Sequence, residues 1–313
     1  MPVKKHKIRT VRKDITMKIL VFGSMNIDKV YSLRHLPERG ETLYCTKFET
    51  HVGGKGLNQA ISLSKAGMDV YMAGCVGLDG GFLTNYLRGV GVNTSLVKIS
   101  SGYSGHAIIE VDKNGQNQMI LYPGANHEIS EEYCDKILEN FGKDDLILMQ
   151  CETSCTEYMI LKAHEKGIKL ALNPSPFTEE VKKLPLQYVN YLFVNEDEGK
   201  SIAGEENIDK AVDKLRKMLL DGAVIMTLGA DGSVYGDDDC IVKADAFTVN
   251  AVDTTGAGDT FTGYFLASLI EDDAPADHAL RFASAASALA VQKVGAAETI
   301  PDRSEVEQFF YNF

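Results

Sequence analysis

Short apolar runs alternate along the chain with longer stretches that carry apolar residues at helical spacing. The runs predict strands buried on both faces, at Lys18–Gly23, Val70–Cys75, Leu146–Gln150, Ile168–Leu172, Tyr191–Val194 and Ala223–Leu228. The stretches between them predict helices, at Leu57–Ala66, Phe82–Arg88, Thr156–Lys166, Ile208–Leu220, Ala257–Glu271 and Ala276–Lys293. This alternation favours an α/β fold in which helices cover both faces of a parallel sheet, giving three layers.

Two regions interrupt the alternation. Residues 42–52 alternate polar and apolar positions without a helix after them. Residues 105–122 read as a β-hairpin around Asn114-Gly115, because Asn-Gly is a strong signal for a tight hairpin turn. We expect a small β-sheet lid, built from segments near 28–52 and 100–122, inserted in a single domain that spans residues 17–313. No internal repeat or long linker divides that domain.

The first sixteen residues differ in character from the rest of the chain. They carry six basic residues and one acid, and they contain no apolar segment of the kind found in a secretory signal. We expect a disordered basic extension, or translation from an upstream start codon, with the first strand opening at Met17.

Composition and charge exclude several classes of protein. The 313 residues are 44% hydrophobic and 24% charged, which excludes a disordered or collagen-like chain. The chain contains no run of 18 uncharged apolar residues, which is the length that a membrane-spanning helix needs. The net charge is −12, and an acidic body repels phosphate backbones, so we expect no nucleic-acid partner. The six cysteines form no C-x-x-C pair, which argues against zinc and favours reduced thiols in the cytoplasm.

The most informative motif is the run DTTGAGD from Asp253 to Asp259, which leads directly into an apolar helix. Gly256 and Gly258 let the backbone turn tightly and direct amide groups into one space, and the helix N-terminus adds partial positive charge. An anion cradle beside the Asp259 carboxylate suits phosphoryl transfer to a hydroxyl group that the carboxylate deprotonates. The alternative is a tight loop with an aspartate that caps the helix.

A second glycine-rich run, GGKGLNQ from Gly53 to Gln59, also enters a helix. It is not a Walker A loop, because a glycine follows Lys55 where that motif needs Ser or Thr. The chain also lacks G-x-G-x-x-G in a first βαβ unit, which disfavours a dinucleotide-binding dehydrogenase. After the first strand, Asn26 and Asp28 alternate on an extended segment, so both side chains can face a polyol. Taken alone, they could equally be solvated residues of a turn.

Together these motifs resemble the ribokinase family of carbohydrate kinases, also called the PfkB family. The resemblance runs from about Met17 to Pro301. It rests on GGKGLNQA and DTTGAGDTF, with five shorter stretches in the same order: GSMNID, PGAN at 123–126, ALNPSP at 171–176, VNEDE at 194–198 and TLGADG at 227–232.

The resemblance implies a role for individual residues. The catalytic base falls on Asp259, and the anion hole on the amides of Thr255 to Gly258, including Gly256 and Ala257. The sugar hydroxyl groups would contact Asn26, Asp28, Gly54, Lys55, Asn58, Glu152 and Asp259. ATP would contact Asn195, Thr227, Gly229, Gly232 and Gly258, with Mg²⁺ held through water by Glu198. An activating K⁺ would lie at Asp253, Thr255, Ala290, Lys293, Gly295 and Thr299.

The implied reaction is ATP-dependent phosphorylation of a primary hydroxyl group of a pentose, with D-ribose giving ribose 5-phosphate. Fructose, 2-deoxyribose, adenosine and pseudouridine remain alternative acceptors, and a catalytically silent sugar-binding regulator is the alternative outside enzymes. A homodimer formed through the lid is a further implication. Three positions depart from the ribokinase pattern: Leu57 could narrow the sugar pocket or pack behind it, His106 could face the sugar or belong to the lid, and Tyr122 precedes PGAN.

Overall fold

The computed structural model describes residues 17–270 and 272–312. These residues form thirteen strands: β1 (Lys18–Phe22), β2 (Asn26–Ser32), β3 (Lys47–Gly53), β4 (Asp69–Val76), β5 (Asn93–Ile99), β6 (Gly105–Val111), β7 (Asn117–Tyr122), β8 (Leu146–Gln150), β9 (Lys169–Asn173), β10 (Tyr191–Asn195), β11 (Ala223–Thr227), β12 (Ser233–Gly236) and β13 (Ile241–Ala244).

The same residues form nine α-helices: α1 (Lys55–Lys65), α2 (Gly81–Gly89), α3 (Glu131–Leu138), α4 (Thr156–Lys166), α5 (Glu196–Ala203), α6 (Ile208–Met218), α7 (Ala257–Ile270), α8 (Ala276–Ala290) and α9 (Arg303–Asn312). The predicted extension at residues 1–16 lies outside the described residues, and so does Glu271 at the predicted end of α7.

The large sheet has nine strands in the order β13-β12-β11-β10-β9-β8-β1-β4-β5. All neighbours from β11 to β5 are parallel, whereas β12 and β13 add an antiparallel edge. The predicted α/β class with a mainly parallel sheet is therefore confirmed. The two edge strands escaped prediction because they are four residues long and neither is a continuous apolar run.

Each face of the large sheet packs against its own layer of helices. In β1, Ile19 and Val21 point into a core shared with α1, α7 and α8, whereas Leu20 and Phe22 point into a core shared with α3, α4 and α6. All four side chains are fully buried. Burial on both faces explains why the strands read as continuous apolar runs rather than alternating ones.

Several helix and strand ends differ from the predicted ones. α1 begins two residues early, at Lys55, because Gly54 takes a positive φ of 95° and turns the chain directly into the helix. α8 ends at Ala290 rather than at Lys293, and β3 begins at Lys47 rather than at residue 42. Besides β12 and β13, five elements with weak local patterns were not predicted as such: β2, β5, α3, α5 and α9.

A second sheet of four strands in the order β3-β2-β6-β7 contains both of the segments that we expected to form a lid. β2 runs parallel to β6, and the other two pairs are antiparallel. Residues 105–122 do form the predicted hairpin, as β6 and β7. The register sets Asn26 beside Gly53 and Gly105, and Asp28 beside His51 and Ala107, so these residues share one face of the sheet.

Among the helices of the described ranges, none is both long and apolar enough to cross a lipid bilayer.

Candidate active site

The polar residues of the candidate site lie at one edge of the large sheet, where the parallel strands end. Gln150, Asn173, Asn195 and Thr227 are the last residues of β8, β9, β10 and β11. Carboxyl ends of parallel strands meet at the same edge, and ligands of open α/β sheets bind there. The turn after β1 reaches the same edge and continues into β2.

Two side chains of β2 occupy space that glycines leave open. A Cβ atom at Gly53 would collide with the Asp28 carboxylate, and one at Gly105 would collide with the Asn26 carboxamide. Asn26 Oδ1 accepts a hydrogen bond from Asn126 Nδ2 at 2.7 Å, and Asn126 Oδ1 accepts one from the Met25 amide at 3.1 Å. Asn126 is buried, so it holds the Asn26 side chain in place from behind.

Asp28 lies among other acidic groups. Burial, together with the charge of Glu152, raises the pKa of Asp28 from 3.8 to about 6, and Glu298 adds to the rise. The neighbouring His51 has the opposite effect and lowers the pKa of Asp28. A partly buried carboxylate close to other acidic groups can accept hydrogen bonds from a hydroxylated ligand.

Glu152 joins the turn after β1 to the start of α1. Its Oε2 accepts a hydrogen bond from Ser24 Oγ and another from the Lys55 amide at 3.1 Å. Close approach requires glycine here, because a Cβ atom at Gly56 would lie 2.6 Å from the amide of Ser24. The predicted residues Gly54, Lys55 and Glu152 are therefore brought together.

Asp259 lies in the first turn of α7 and is 5% exposed. Its Oδ2 accepts a hydrogen bond from Asn58 Nδ2 at 3.1 Å, and its Oδ1 accepts one from Gln59 Nε2 at 2.9 Å. Helix α1 thus presents two consecutive amide side chains to one carboxylate. The proposed sugar ligand Asn58 contacts the proposed base directly.

The glycine loop before α7 has the shape of an anion cradle. Gly256 has a φ of 74°, a conformation that strains other residues, and a Cβ atom there would lie 3.2 Å from the Ala296 Cβ. A Cβ atom at Gly258 would instead point into open space. The first amides of α7 have no acceptor within the helix and carry its partial positive charge, although that of Ala257 donates to the Thr254 carbonyl oxygen at 3.2 Å.

Two cavities meet at this loop. The larger, of about 620 Å³, contains the polar groups Lys55, Asn173, Asn195, Glu198 and Asp259. The smaller, of about 390 Å³, is mainly apolar and is lined by residues that include Thr227, Gly229, Gly232, Phe247, Val249, Phe261, Ser284, Ala288 and Val291. Both contact Thr227, Gly229, Thr254 and Gly258. The pair suits a ligand with one apolar ring and one charged end.

Asn195 and Glu198 form a capping box at the start of α5. Asn195 Oδ1 accepts a hydrogen bond from the Glu198 amide at 2.8 Å, and Glu198 Oε2 accepts one from the Asn195 amide at 3.0 Å. Glu198 Oε1 accepts a further hydrogen bond from Ser175 Oγ. Each carboxylate oxygen keeps a free lone pair, so the group fits the expected contact with metal-bound water.

The residues expected to hold an activating cation lie in two adjoining segments: Asp253 and Thr255 before α7, and Ala290 at the end of α8 with Lys293, Gly295 and Thr299 after it. Asp253 joins the segments, because Oδ1 accepts from the amide and hydroxyl of Thr255 (2.9 and 2.6 Å) and Oδ2 accepts from the Gly295 amide (3.0 Å). Burial opposes ionisation, but these hydrogen bonds outweigh it and lower the pKa of Asp253 below its ordinary value. Carboxylate, hydroxyl and carbonyl oxygens are the donors that a hard cation prefers.

Within the described ranges, no three His, Cys, Asp or Glu side chains form a group that could hold a metal ion. All six cysteines lie in these ranges as free thiols. Burial, aided by the charges of Glu198 and Glu152, raises the pKa of Cys151 to about 12, so this thiol stays protonated beside the site.

The positions that depart from the ribokinase pattern point away from the side chains that we expect to bind the sugar. Leu57 is fully buried in the hydrophobic core, which supports packing behind the pocket. His106 pairs with Ile27, so it points to the opposite face of the small sheet from Asn26 and Asp28. There its Nδ1 lies 3.2 Å from the Ser104 carbonyl oxygen, and its ring lies 5.0 Å from that of Tyr122.

Several residues that support the site were not assigned from the sequence. Ser24, Gln59 and Asn126 belong to the motifs GSMNID, GGKGLNQA and PGAN, so a signal for them existed. The signal for Gln150 and Asn173 was weaker, because each is only a single amide side chain at the end of an apolar strand.

Comparisons with known proteins agree with this geometry. Residues 16–303 match the family described as pfkB family carbohydrate kinase. The ribokinase of Haemophilus influenzae is 34% identical over 309 residues, which cover 96% of this chain and 99% of that protein. The deoxyribokinase of Salmonella typhi is 33% identical over 303 residues, which cover 94% of this chain and 97% of that protein.

Solved structures show the same fold. The structure of Arabidopsis thaliana ribokinase complexed with ribose and ATP matches with a TM-score of 0.84 and 29% identity, over 95% of this chain and 99% of that one. A family match over nearly the whole chain, together with this fold and the meeting of a polar and an apolar cavity at the glycine loop before Asp259, shows that the chain is an ATP-dependent sugar kinase that belongs to the pfkB family of carbohydrate kinases.

Proposed function

We propose that this kinase transfers the γ-phosphoryl group of ATP to the primary hydroxyl group of a pentose, and that the acceptor is D-ribose, which becomes ribose 5-phosphate. The observation that carries the proposal is the position of Asp259. Its carboxylate lines the polar cavity, contacts Asn58 and lies directly after the glycine loop at which the two cavities meet. The similarity to ribokinases over more than nine-tenths of the chain supports ribose as the acceptor.

Asp259 acts as the catalytic base in this proposal. The O5 hydroxyl group of the sugar donates a hydrogen bond to the carboxylate and passes its proton to it as the new P–O bond forms. The bond between the γ-phosphorus and the bridging oxygen of ATP breaks, and ADP leaves. Asn58 and Gln59 hold the carboxylate in position, so orienting it adds little to the free-energy barrier of the reaction.

The sugar is held by the side chains of Asn26, Asp28, Asn58 and Glu152 and by the chain at Gly54 and Lys55. A carboxylate accepts hydrogen bonds and an amide both donates and accepts, so this set can read several hydroxyl groups at once. Asn26 is oriented by Asn126, and Glu152 by Ser24 and the Lys55 amide, so the set is preorganised before the sugar arrives.

The nucleotide occupies the joined cavities, with its base in the apolar cavity past Thr227, Gly229 and Gly232. Its phosphates face the amides of Gly256, Ala257 and Gly258, which stabilise the charge that develops on the transferring group. Asn195 and Glu198 face the phosphate side and would orient the waters of Mg²⁺, which neutralises phosphate charge when bound. K⁺ beside Asp253 would strengthen the positive potential of the anion hole.

The small sheet acts as a lid over the sugar and as the contact between two copies of the chain. β7 is exposed at every position, including Met119, Ile120 and Leu121, each more than half exposed. An exposed apolar edge strand is a surface that proteins cover. This favours the lid-mediated homodimer that the ribokinase resemblance implies.

A second acceptor, 2-deoxyribose, has an observation in its favour. The Salmonella typhi deoxyribokinase is 33% identical to this chain, nearly as similar as the Haemophilus influenzae ribokinase at 34%. The two sugars differ by one hydroxyl group, so the hydrogen bonds of the sugar site decide between them.

The test is an assay of ADP release with Mg-ATP and KCl, comparing D-ribose, 2-deoxyribose, fructose, adenosine and pseudouridine. We expect the highest kcat/KM with D-ribose and a loss of roughly 10³-fold or more in kcat for Asp259→Asn. Asp144→Asn, at an exposed position just before β8 and outside both cavities, is the matched control and should retain full activity.

Three outcomes contradict parts of the proposal. A higher kcat/KM with another acceptor would replace ribose and leave the mechanism intact. Full activity of Asp259→Asn would show that Asp259 is not the catalytic base. Sugar binding without turnover on any acceptor would identify a silent sugar-binding regulator.

A further inference from the structure

A chain of buried amide side chains leads from Asp259 back into the large sheet. Gln59 Nε2 donates to Asp259 Oδ1 at 2.9 Å and also to Asn173 Oδ1 at 3.1 Å. Gln59 Oε1 accepts from Gln150 Nε2 at 2.6 Å. Gln59 and Gln150 are both fully buried, so neither can exchange these partners for water.

The orientation of the Gln59 amide is set by what its two ends face. The ionised carboxylate of Asp259 only accepts hydrogen bonds, so the NH₂ end must point toward it. The carbonyl end then needs a donor on the other side, and Gln150 Nε2 supplies it. If that donor were absent, Gln59 would leave a buried oxygen without a partner, or turn its amide over and set oxygen against oxygen at Asp259.

Gln150 is itself held rigidly. It ends β8 beside Asn173 of β9, one position beyond the pair that Met149 forms with Phe22 of β1, and its Oε1 has no hydrogen-bond partner among the described residues. Gly23 leaves the space for it, because a Cβ atom there would collide with that oxygen. A fully buried glutamine that leaves one acceptor unsatisfied costs free energy, which points to a role for its donor end.

We propose that Gln59 and Gln150 are positioning residues for phosphoryl transfer: Gln150 fixes the amide orientation of Gln59, and Gln59 in turn fixes the Asp259 carboxylate toward the sugar hydroxyl group. This inference rests on the proposed role of Asp259 as the base. Asn173, which shares the Gln59 donor and lines the polar cavity, links the same arrangement to the phosphate side of the site.

The test measures kcat and KM for Gln59→Leu, Gln150→Leu and the double variant. We expect each single variant to lower kcat by roughly 10- to 100-fold with little change in the KM for sugar or ATP, because the carboxylate is misplaced while the binding groups remain. Since Gln150 acts through Gln59, the double variant should be no slower than Gln59→Leu alone. Gln187→Leu, at a half-buried position outside both cavities, is the matched control.

Gln150→Glu separates this role from simple packing, because it keeps the shape of the side chain but replaces the amide donor by a carboxylate, which only accepts hydrogen bonds when it is ionised. We expect it to be at least as slow as Gln150→Leu at pH 8. Its activity relative to the unmodified protein should recover as pH falls, because the introduced carboxyl group gains an O–H donor on protonation. Urea unfolding and calorimetric titration with ribose show whether each variant is folded and binds sugar.

The two proposals fail in different ways. If Asp259→Asn is inactive but Gln150→Leu and Gln150→Glu have the kcat of the unmodified protein, the positioning inference is wrong and the base assignment stands. Additive losses in the double variant also overturn the inference. If Asp259→Asn is fully active, the assignment of Asp259 as the base is wrong, and the positioning inference that rests on it is wrong as well.

Discussion

Replacing Asp28 by asparagine should stabilise the unliganded protein and at the same time weaken its hold on the sugar. The carboxylate lies over Gly53 with little access to water, close to Glu152 and Glu298. Ionising it there costs free energy that an unfolded chain does not spend. An asparagine side chain has nearly the same shape without the charge, so the change Asp28→Asn isolates the electrostatic cost.

The size of the effect follows from the pKa of Asp28, which rises from 3.8 to about 6 on folding. Because the folded state holds this proton more tightly, the contribution of Asp28 to stability is highest below pH 3.8 and is lost as pH rises through about 6. Linkage gives a cost of about 1.5 kcal/mol at pH 5 and about 3 kcal/mol at pH 8. Asp28→Asn removes this cost, so its gain in stability should double between these two pH values.

Urea unfolding of Asp28→Asn at pH 5 and pH 8, without sugar, measures this gain. Asp144→Asn is the matched control, because Asp144 is exposed and should show no such difference between the two pH values. A gain that does not change with pH, or a variant less stable than the unmodified protein at pH 8, would refute the reasoning.

The same substitution should raise the KM for the sugar by roughly 10- to 100-fold, because hydrogen bonds to a charged acceptor contribute about 1.5–3 kcal/mol. In the unmodified protein the KM for sugar should rise as pH falls below about 6, where Asp28 becomes protonated, while the KM for ATP does not follow it. A sugar KM that is flat from pH 5 to pH 8 would contradict this role.

Three further predictions concern other parts of the site. Asp253→Asn should abolish the activation of the enzyme by KCl relative to NaCl at constant ionic strength. The reason is that both oxygens of this carboxylate accept hydrogen bonds, one from Thr255 and the other from Gly295. Unchanged activation would mean that the cation binds elsewhere. Leu57→Ala should lower the free energy of unfolding by about 2–5 kcal/mol without changing the preference among sugars, whereas a changed preference at full stability would mean that Leu57 faces the pocket. Gly53→Ala should displace Asp28 and raise the KM for sugar with the KM for ATP unchanged, and an unaltered sugar KM would show that Asp28 can move without loss.

Local patterns in the sequence were enough for the main elements of the fold. The strand at Leu146–Gln150 and the helix at Thr156–Lys166 were predicted with the bounds that the structure shows. The strand is a continuous apolar run buried on both faces, and the helix carries apolar residues at helical spacing that face the core. The weak cases were short or edge elements such as β12 and β5, where few residues face a core and the pattern carries little information.

The sequence also contained the chemistry of the site, because the glycine runs and the carboxylates Asp28, Glu152 and Asp259 stand in motifs that resemble a known family. It could not show which of these groups meet. Asn58 and Asp259 are 201 positions apart, and only the packing of α1 against the start of α7 brings them within 3.1 Å.

Tertiary structure alone decided which face of a sheet a side chain points to and which distant residues it contacts. His106 could have faced the sugar until the pairing of β2 with β6 set it opposite Ile27, because a shift of one residue in register would reverse its direction. Gln150 reads in the sequence as the end of an apolar strand, and its contact with Gln59 exists only because β8 lies next to β1 in the sheet. Periodicity is a local property that the sequence determines by itself, whereas contacts between distant residues depend on strand order and register, which the whole chain settles when it folds.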